Sequence, residues 1–263
     1  DVIRPAFEEY ANRCDKEKVI AFAPQTEDFS YNENDVMNFF EDKNLDCLVL
    51  VNPDNPTGNY ISREGMLKLA RWTKEKDIRF LADESFVDFA EETEPTLLVE
   101  ELLDENPHMI VVKSISKSYG IPGLRLGVAA SGDTDLIGQL KKDVAIWNIN
   151  SFAEFYMQIY GKYESDYRKA CERFQSERIR FYKELSSISF LRVIPSQANY
   201  FLCEVIAKYS STALTRLLLY SSNILIKDCS TKQAFNNGNY IRIAIRNEAD
   251  NNKLLSRLKE LDC

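Results

Sequence analysis

The chain has 263 residues, of which 44% are hydrophobic and 28% charged, and its formal net charge is −8. That is the composition of a globular chain, long enough for one large domain or two smaller ones sharing a boundary. No window approaches the roughly 18 consecutive apolar residues of a membrane span, and an acidic surface repels a phosphate backbone, so neither membrane nor nucleic acid is an expected partner.

Six cysteines (Cys14, Cys47, Cys171, Cys203, Cys229, Cys263) are scattered without a Cys-x-x-Cys pair, and His108 is the one histidine. Thiol or imidazole metal sites need several converging ligands, so no metal is expected, and the cysteines read as reduced thiols of a cytoplasmic protein. The chain opens without methionine at Asp1-Val2-Ile3-Arg4-Pro5. This reads as the tail of a strand entering a loop, in a piece cut from something longer.

In chain order, residues 45–51 form a β-favouring run that stops at Asn52-Pro53-Asp54-Asn55-Pro56-Thr57-Gly58. Two prolines and a glycine there forbid strand or helix. Ser62 caps a helix in which Met66, Leu69, Ala70 and Thr73 recur at helical spacing. Residues 78–82 form a short strand ending at Asp83-Glu84. After an acidic stretch and a short helix near 97–103, residues 109–112 form a third strand, which ends at Ser114-Ile115-Ser116-Lys117 and the glycine-bearing Gly120-Ile121-Pro122-Gly123. Alternating strands and helices predict an α/β unit with parallel strands, right-handed crossovers and a ligand site beyond the carboxyl ends. Those ends bring Asn55, Asp83 and Lys117, an amide, a carboxylate and an amine, to one sheet edge.

Residues 133–160 read as helical with an interruption at 147–151, and a long charged helix covers 164–185. Strands at 199–205, 224–227 and 240–246 and helices at 211–220 and 250–261 make a smaller α+β layer. The expected division is 1–155, a large domain incomplete at its N-terminus, and 156–263, a small one.

Each candidate has an ordinary reading. Lys117 is a surface lysine or an amine made nucleophilic toward aldehydes by burial near another cation; Lys113, its competitor, lies within the strand and snorkels to solvent. Asp83 is a loop anion or a partner that keeps a pyridine nitrogen protonated. Asn55 is a turn former or a donor to a phenolate oxygen. In Tyr240-Ile241-Arg242-Ile243-Ala244-Ile245-Arg246 the isoleucines alternate with the arginines, so Arg242 and Arg246 leave one face about 13 Å apart, too far to grip one carboxylate.

Together, Asn52 to Gly58, Asp83-Glu84-Ser85-Phe86, and Ser114-x-Ser116-Lys117 followed by Gly123-Leu124-Arg125-Leu126-Gly127 resemble the three signature segments of fold-type I aminotransferases. The likeness is greatest to the subgroup of histidinol-phosphate aminotransferase and threonine-phosphate decarboxylase, in order and spacing, from Pro5 to the C-terminus. It implies a mainly parallel sheet with flanking helices, pyridoxal 5'-phosphate as cofactor, and a homodimer. By position, Lys117 resembles the Schiff-base lysine that also shuttles the substrate proton, Asp83 the pyridinium partner, and Asn55 the donor to the 3′ oxygen, its bond to Pro56 often cis. Ser114 and Arg125 resemble the phosphate ligands, with Ser116 beside them; Phe7 resembles the aromatic that stacks on the ring. Phe86 stands where the family usually has a tyrosine, keeping the ring and losing a donor. Arg242 resembles the substrate carboxylate clamp. Arg246 is left between a distal substrate group, such as a phosphate, and a salt bridge.

The resemblance implies transfer of an amino group between an amino acid and a keto acid or phosphorylated carbonyl compound. The alternative in the same chemistry is decarboxylation of a phosphorylated amino acid, since the bond that breaks is the one perpendicular to the ring. A cofactor-binding sensor or a module of a bifunctional protein is the alternative outside that chemistry.

Overall fold

A computed structural model describes residues 2–3, 9–232, 235 and 238–262. In chain order, the elements are β1 (Val2–Ile3), α1 (Glu9–Asn12), β2 (Ala21–Phe22), α2 (Glu33–Phe40), β3 (Cys47–Val51), α3 (Arg63–Glu75), β4 (Arg79–Asp83), α4 (Glu100–Glu105), β5 (Met109–Ser114), α5 (Ile115–Ser118), β6 (Gly127–Ala130), α6 (Thr134–Asp143) and α7 (Ser151–Tyr160). There follow α8 (Glu164–Leu185), β7 (Leu191–Val193), β8 (Tyr200–Val205), α9 (Ser211–Ser222), β9 (Lys227–Asp228), β10 (Tyr240–Ala244) and α10 (Glu248–Asp262).

Strands β3, β4 and β5 are parallel neighbours, as their alternation with helices predicts, and β6 adds to β5 antiparallel. Residues two apart share a sheet face. Leu48 and Leu50, Phe80 and Ala82, and Met109 and Val111 accordingly form one buried face, covered by Val36 and Phe40 of α2 and by Met66, Leu69 and Ala70 of α3. Ser62 caps α3 by accepting a hydrogen bond from Gly65 N. Strand β6 goes unmarked in the sequence because Gly127-Val128-Ala129-Ala130 is short and mostly exposed, so it has no buried alternation.

The second sheet has the order β7-β8-β10-β9 and is antiparallel throughout. Its core gathers Phe181 and Leu185 of α8, Phe201 and Cys203 of β8, Ile241 and Ile243 of β10, and leucines of α9 and α10. The strand expected at 224–227 is only Lys227–Asp228, because Asn223 is left-handed at φ 53° and the chain must straighten first. The strand expected at 240–246 ends at Ala244. Position 155, the expected domain division, lies inside α7.

The two sheets meet through the loop after β3. Asn52 closes it: its side-chain amide donates to Ile61 O at 2.8 Å and its oxygen accepts from Ile61 N at 2.9 Å. Gly58, at φ +77°, has no room for a side chain, since a Cβ would sit 1.9 Å from Ser196 Oγ. That contact lets Gln197 N reach Gly58 O at 2.9 Å. Arg178 of α8, 2% exposed, forms a second joint, donating to Phe89 O at 2.6 Å and pairing with Glu91 at 2.9 Å. Among the described residues no cysteine is disulfide-bonded, no cluster could hold a metal, and no helix is long and apolar enough to cross a membrane.

Candidate active site

Asp83 is the last residue of β4 and is 6% exposed. A carboxylate buried there must be hydrogen-bonded. Oδ1 accepts from Ser85 N at 2.9 Å and Ser85 Oγ at 2.5 Å, and Oδ2 accepts from the Tyr10 hydroxyl at 2.7 Å. Ser85 Oγ in turn accepts from Ser114 N at 3.1 Å, so the ends of β4 and β5 are locked together. Burial, followed by the charge of Asp83, pushes the Tyr10 phenol well above its ordinary pKa, which keeps it a neutral donor.

Lys117 rides on the single turn of α5, beyond the end of β5. Its Nζ lies 4.9 Å from the centre of the Phe86 ring, and no hydrogen bond or ion pair engages it among the described residues. Partial desolvation lowers its pKa; Asp83 opposes that shift, and the cations Arg125 and Arg242 add to it. An amine in such a field is neutral more often than a surface lysine and is a better nucleophile.

Asn55 follows β3 by four residues, with cis peptide bonds at Asn52–Pro53 and Asn55–Pro56. Its Oδ1 accepts from Arg242 Nη1 at 2.6 Å. Because Ile241 and Ile243 point into the core of the second sheet, Arg242 leaves the opposite face, where its guanidinium lies 4.9 Å over the ring of Tyr200. Tyr200 also packs edge-on against Phe86 at 5.2 Å and donates to Asp54 O at 2.8 Å. Asp54 itself is fully enclosed. Thr57 Oγ1 donates to its Oδ2 at 2.6 Å, Oδ1 has no hydrogen-bond partner among the described residues, and burial raises its pKa to about 7.

The structure therefore gathers Asn55, Asp83, Phe86, Lys117 and Arg242. Ser114 stands at the edge of this group through its backbone. Ser116 has turned inward, exchanging 3.3 Å hydrogen bonds with the backbone of Leu126. Arg125 is exposed and left-handed at φ 53°, with Nη1 donating to Pro122 O at 3.3 Å. Arg246 is not brought in: it lies past the end of β10 and pairs with Asp250 at 2.7 Å, the second of its two expected readings. Phe7 lies outside the described residues. Lys113 corrects the sequence reading outright. It does not reach solvent but is 9% exposed and pairs with Asp88 at 2.5 Å.

Sequence reasoning missed Tyr10, Tyr200 and Asp88. The one local signal for Tyr10 is its place three residues after Phe7; the partners of all three are remote in sequence.

The sequence matches the family described as aminotransferase class I and II over residues 5–258. The chain belongs to that family. Among curated members it is 31% identical to an L-serine phosphate decarboxylase of Campylobacter jejuni, over 97% of this chain and 66% of that enzyme. It is 30% identical to the CMP-5'-(3-aminopropyl)phosphonate synthase of Streptomyces rubellomurinus, over 98% of this chain and 40% of that one. The chain thus spans less than two thirds of either relative. Of solved structures, a decarboxylase from Sulfurospirillum multivorans superposes with TM-score 0.88 at 30% identity, over 100% of this chain and 75% of that one. The histidinol-phosphate aminotransferase of Clostridium acetobutylicum gives 0.86 at 26%, over 99% and 77%.

The cofactor of this aminotransferase family is pyridoxal 5'-phosphate, and the donor set fits it. An amine of lowered pKa suits its aldehyde and the buried Asp83 suits a protonated ring nitrogen, with the Phe86 ring beside the amine.

Proposed function

We propose that this chain is the catalytic part of a pyridoxal-phosphate enzyme that decarboxylates a phosphorylated amino acid. The observation that carries this reading is the identity of 30–31% with L-serine phosphate decarboxylases and an aminopropylphosphonate synthase, against 27–28% with histidinol-phosphate aminotransferases. It favours the reaction that the sequence alone ranked second. Transamination is the second reading, supported by the superposition on the Clostridium enzyme.

In this reading Lys117 carries the cofactor, Asp83 faces the ring nitrogen and Asn55 donates to the 3′ oxygen. Ser114, Ser116 and Arg125 hold the phosphate, and Phe86 and Phe7 flank the ring. Ser116 and Arg125 would exchange their present backbone partners, Leu126 and Pro122, for phosphate oxygens. Bound pyridoxal phosphate supplies an electron sink for the bond broken at the substrate's Cα. Arg242 binds a substrate anion by charge-assisted hydrogen bonds, with the ring of Tyr200 covering one side of the guanidinium. Lys117 Nζ delivers the proton that replaces the lost carboxylate at Cα. Arg246 stays with Asp250.

A cytoplasmic homodimer completes the proposal. What supports self-association is an apolar surface run in which Ile146, Trp147 and Phe152 are 93%, 89% and 78% exposed. Contiguous apolar surface of this kind marks contact sites.

The test uses full-length protein with pyridoxal phosphate and the O-phosphates of serine and threonine. The expected products are carbon dioxide and a phosphorylated amine; a keto acid without carbon dioxide would select transamination. Lys117→Ala should abolish the visible absorbance and slow turnover on the order of 10³-fold or more.

A further inference from the structure

The short helix that carries Lys117 cannot hold itself in place. A four-residue helix completes barely one turn, and nucleation makes such a segment unstable alone. Its neighbours supply the restraint. Ser116 is tied to Leu126, and Ser118 Oγ donates to Asp88 Oδ2 at 2.6 Å. Tyr119 stacks on Tyr167 of α8 at 4.2 Å with ring planes 5° apart. The residues on both sides of Lys117 are therefore pinned, while among the described residues its own amine makes no hydrogen bond or ion pair.

Asp88 is the hub of this arrangement. It lies five residues past Asp83, and its second oxygen, Oδ1, takes the buried Lys113 of β5. One carboxylate thus joins the segment after Asp83, the strand before Lys117 and the residue after it. We propose that Asp88 is a positioning residue, fixing the backbone of the Lys117 turn relative to Asp83, with Lys113 as its charge partner and Ser118 as its tether. This rests on Lys117 being the reactive amine.

The geometry has a checkable consequence. The groups that act on the Lys117 amine are Asp83, Arg125 and Arg242, together with its partial desolvation. Freed from Asp88, the turn moves outward, the amine gains water, and its titration midpoint rises toward that of an ordinary lysine.

The test is amine acylation of the cofactor-free full-length protein across pH, read at the Lys117 peptide, beside borohydride trapping of added pyridoxal phosphate. Two variants isolate the role: Ser118→Ala, which removes the tether and leaves every charge, and Asp88→Asn with Lys113→Met, which removes the pair without leaving a buried charge. In both, the Lys117 midpoint should rise and trapping should slow roughly tenfold, the lower end of what one charge-assisted hydrogen bond contributes. Asp88→Glu should recover part of the loss. Wild-type midpoints and trapping rates in both variants, with folding intact by circular dichroism, would overturn the role of Asp88. Trapping on another lysine in the unaltered protein would overturn the role of Lys117 instead, and the acylation midpoints would still decide for or against Asp88.

Discussion

Asp83 and Arg242 stand on different sheets and are restrained in different ways. Asp83 ends a parallel strand, is buried, and has both oxygens hydrogen-bonded, to the backbone and hydroxyl of Ser85 and to Tyr10. Arg242 sits within an antiparallel strand, half-buried, held by the amide oxygen of Asn55 and the face of Tyr200. The carboxylate cannot shift without unpairing strand ends, whereas among the described residues the guanidinium is held by one hydrogen bond and one ring face. A site built this way keeps its proposed cofactor side rigid and leaves its proposed substrate side free to exchange partners. The loop of residues 52–59 is the joint between them.

Three substitutions probe that contrast. The largest effect is expected at the joint, in Asp54→Asn. The folded pKa of Asp54 is raised from 3.8 to about 7, so its ionised form opposes folding. This cost is absent below the ordinary carboxyl value, grows as pH rises through it, and is complete above about 7. Asparagine cannot ionise and keeps an oxygen for Thr57. The stability of the variant relative to wild type should therefore be greater at pH 8 than at pH 4, by at most about 4 kcal/mol for three pKa units. Denaturant titrations at the two pH values measure it, and a pH-independent difference would mean that the Asp54 carboxyl titrates alike in the folded and unfolded protein, so that burial does not raise its pKa.

Arg242→Ala comes next. Loss of a charge-assisted hydrogen bond costs about 1.5–3 kcal/mol, so KM should rise roughly 10- to 150-fold while the cofactor's absorbance persists. Disappearance of the absorbance would put Arg242 on the cofactor side and break the comparison. The smallest effect is expected for Arg246→Ala. Its pair with Asp250 is exposed, and such pairs contribute at most about 1 kcal/mol. Thermal melts should barely move. A KM increase confined to phosphorylated substrates would return Arg246 to the site.

Much of the frame was legible because its signals are local. The cap at Ser62, the buried positions 66, 69, 70 and 73, and the helix at 164–185 all follow from spacing within a few turns. The alternation of Ile241 and Ile243 with Arg242 also predicted which face of β10 carries the arginine. Where spacing had little to register, as in the exposed β6, the sequence was silent; at Arg246 the alternation continued past the end of the strand.

By itself the sequence determined the α/β order, the family, and which residues end the parallel strands, because periodicity, caps and turn residues act between near neighbours. Tertiary structure decided the partners. Lys113 found Asp88 across 25 residues, Tyr10 found Asp83 across 73, and Asn55 found Arg242 across 187. A buried charge or hydroxyl must be matched by whatever group the fold carries to it, and that match depends on distance in space rather than along the chain.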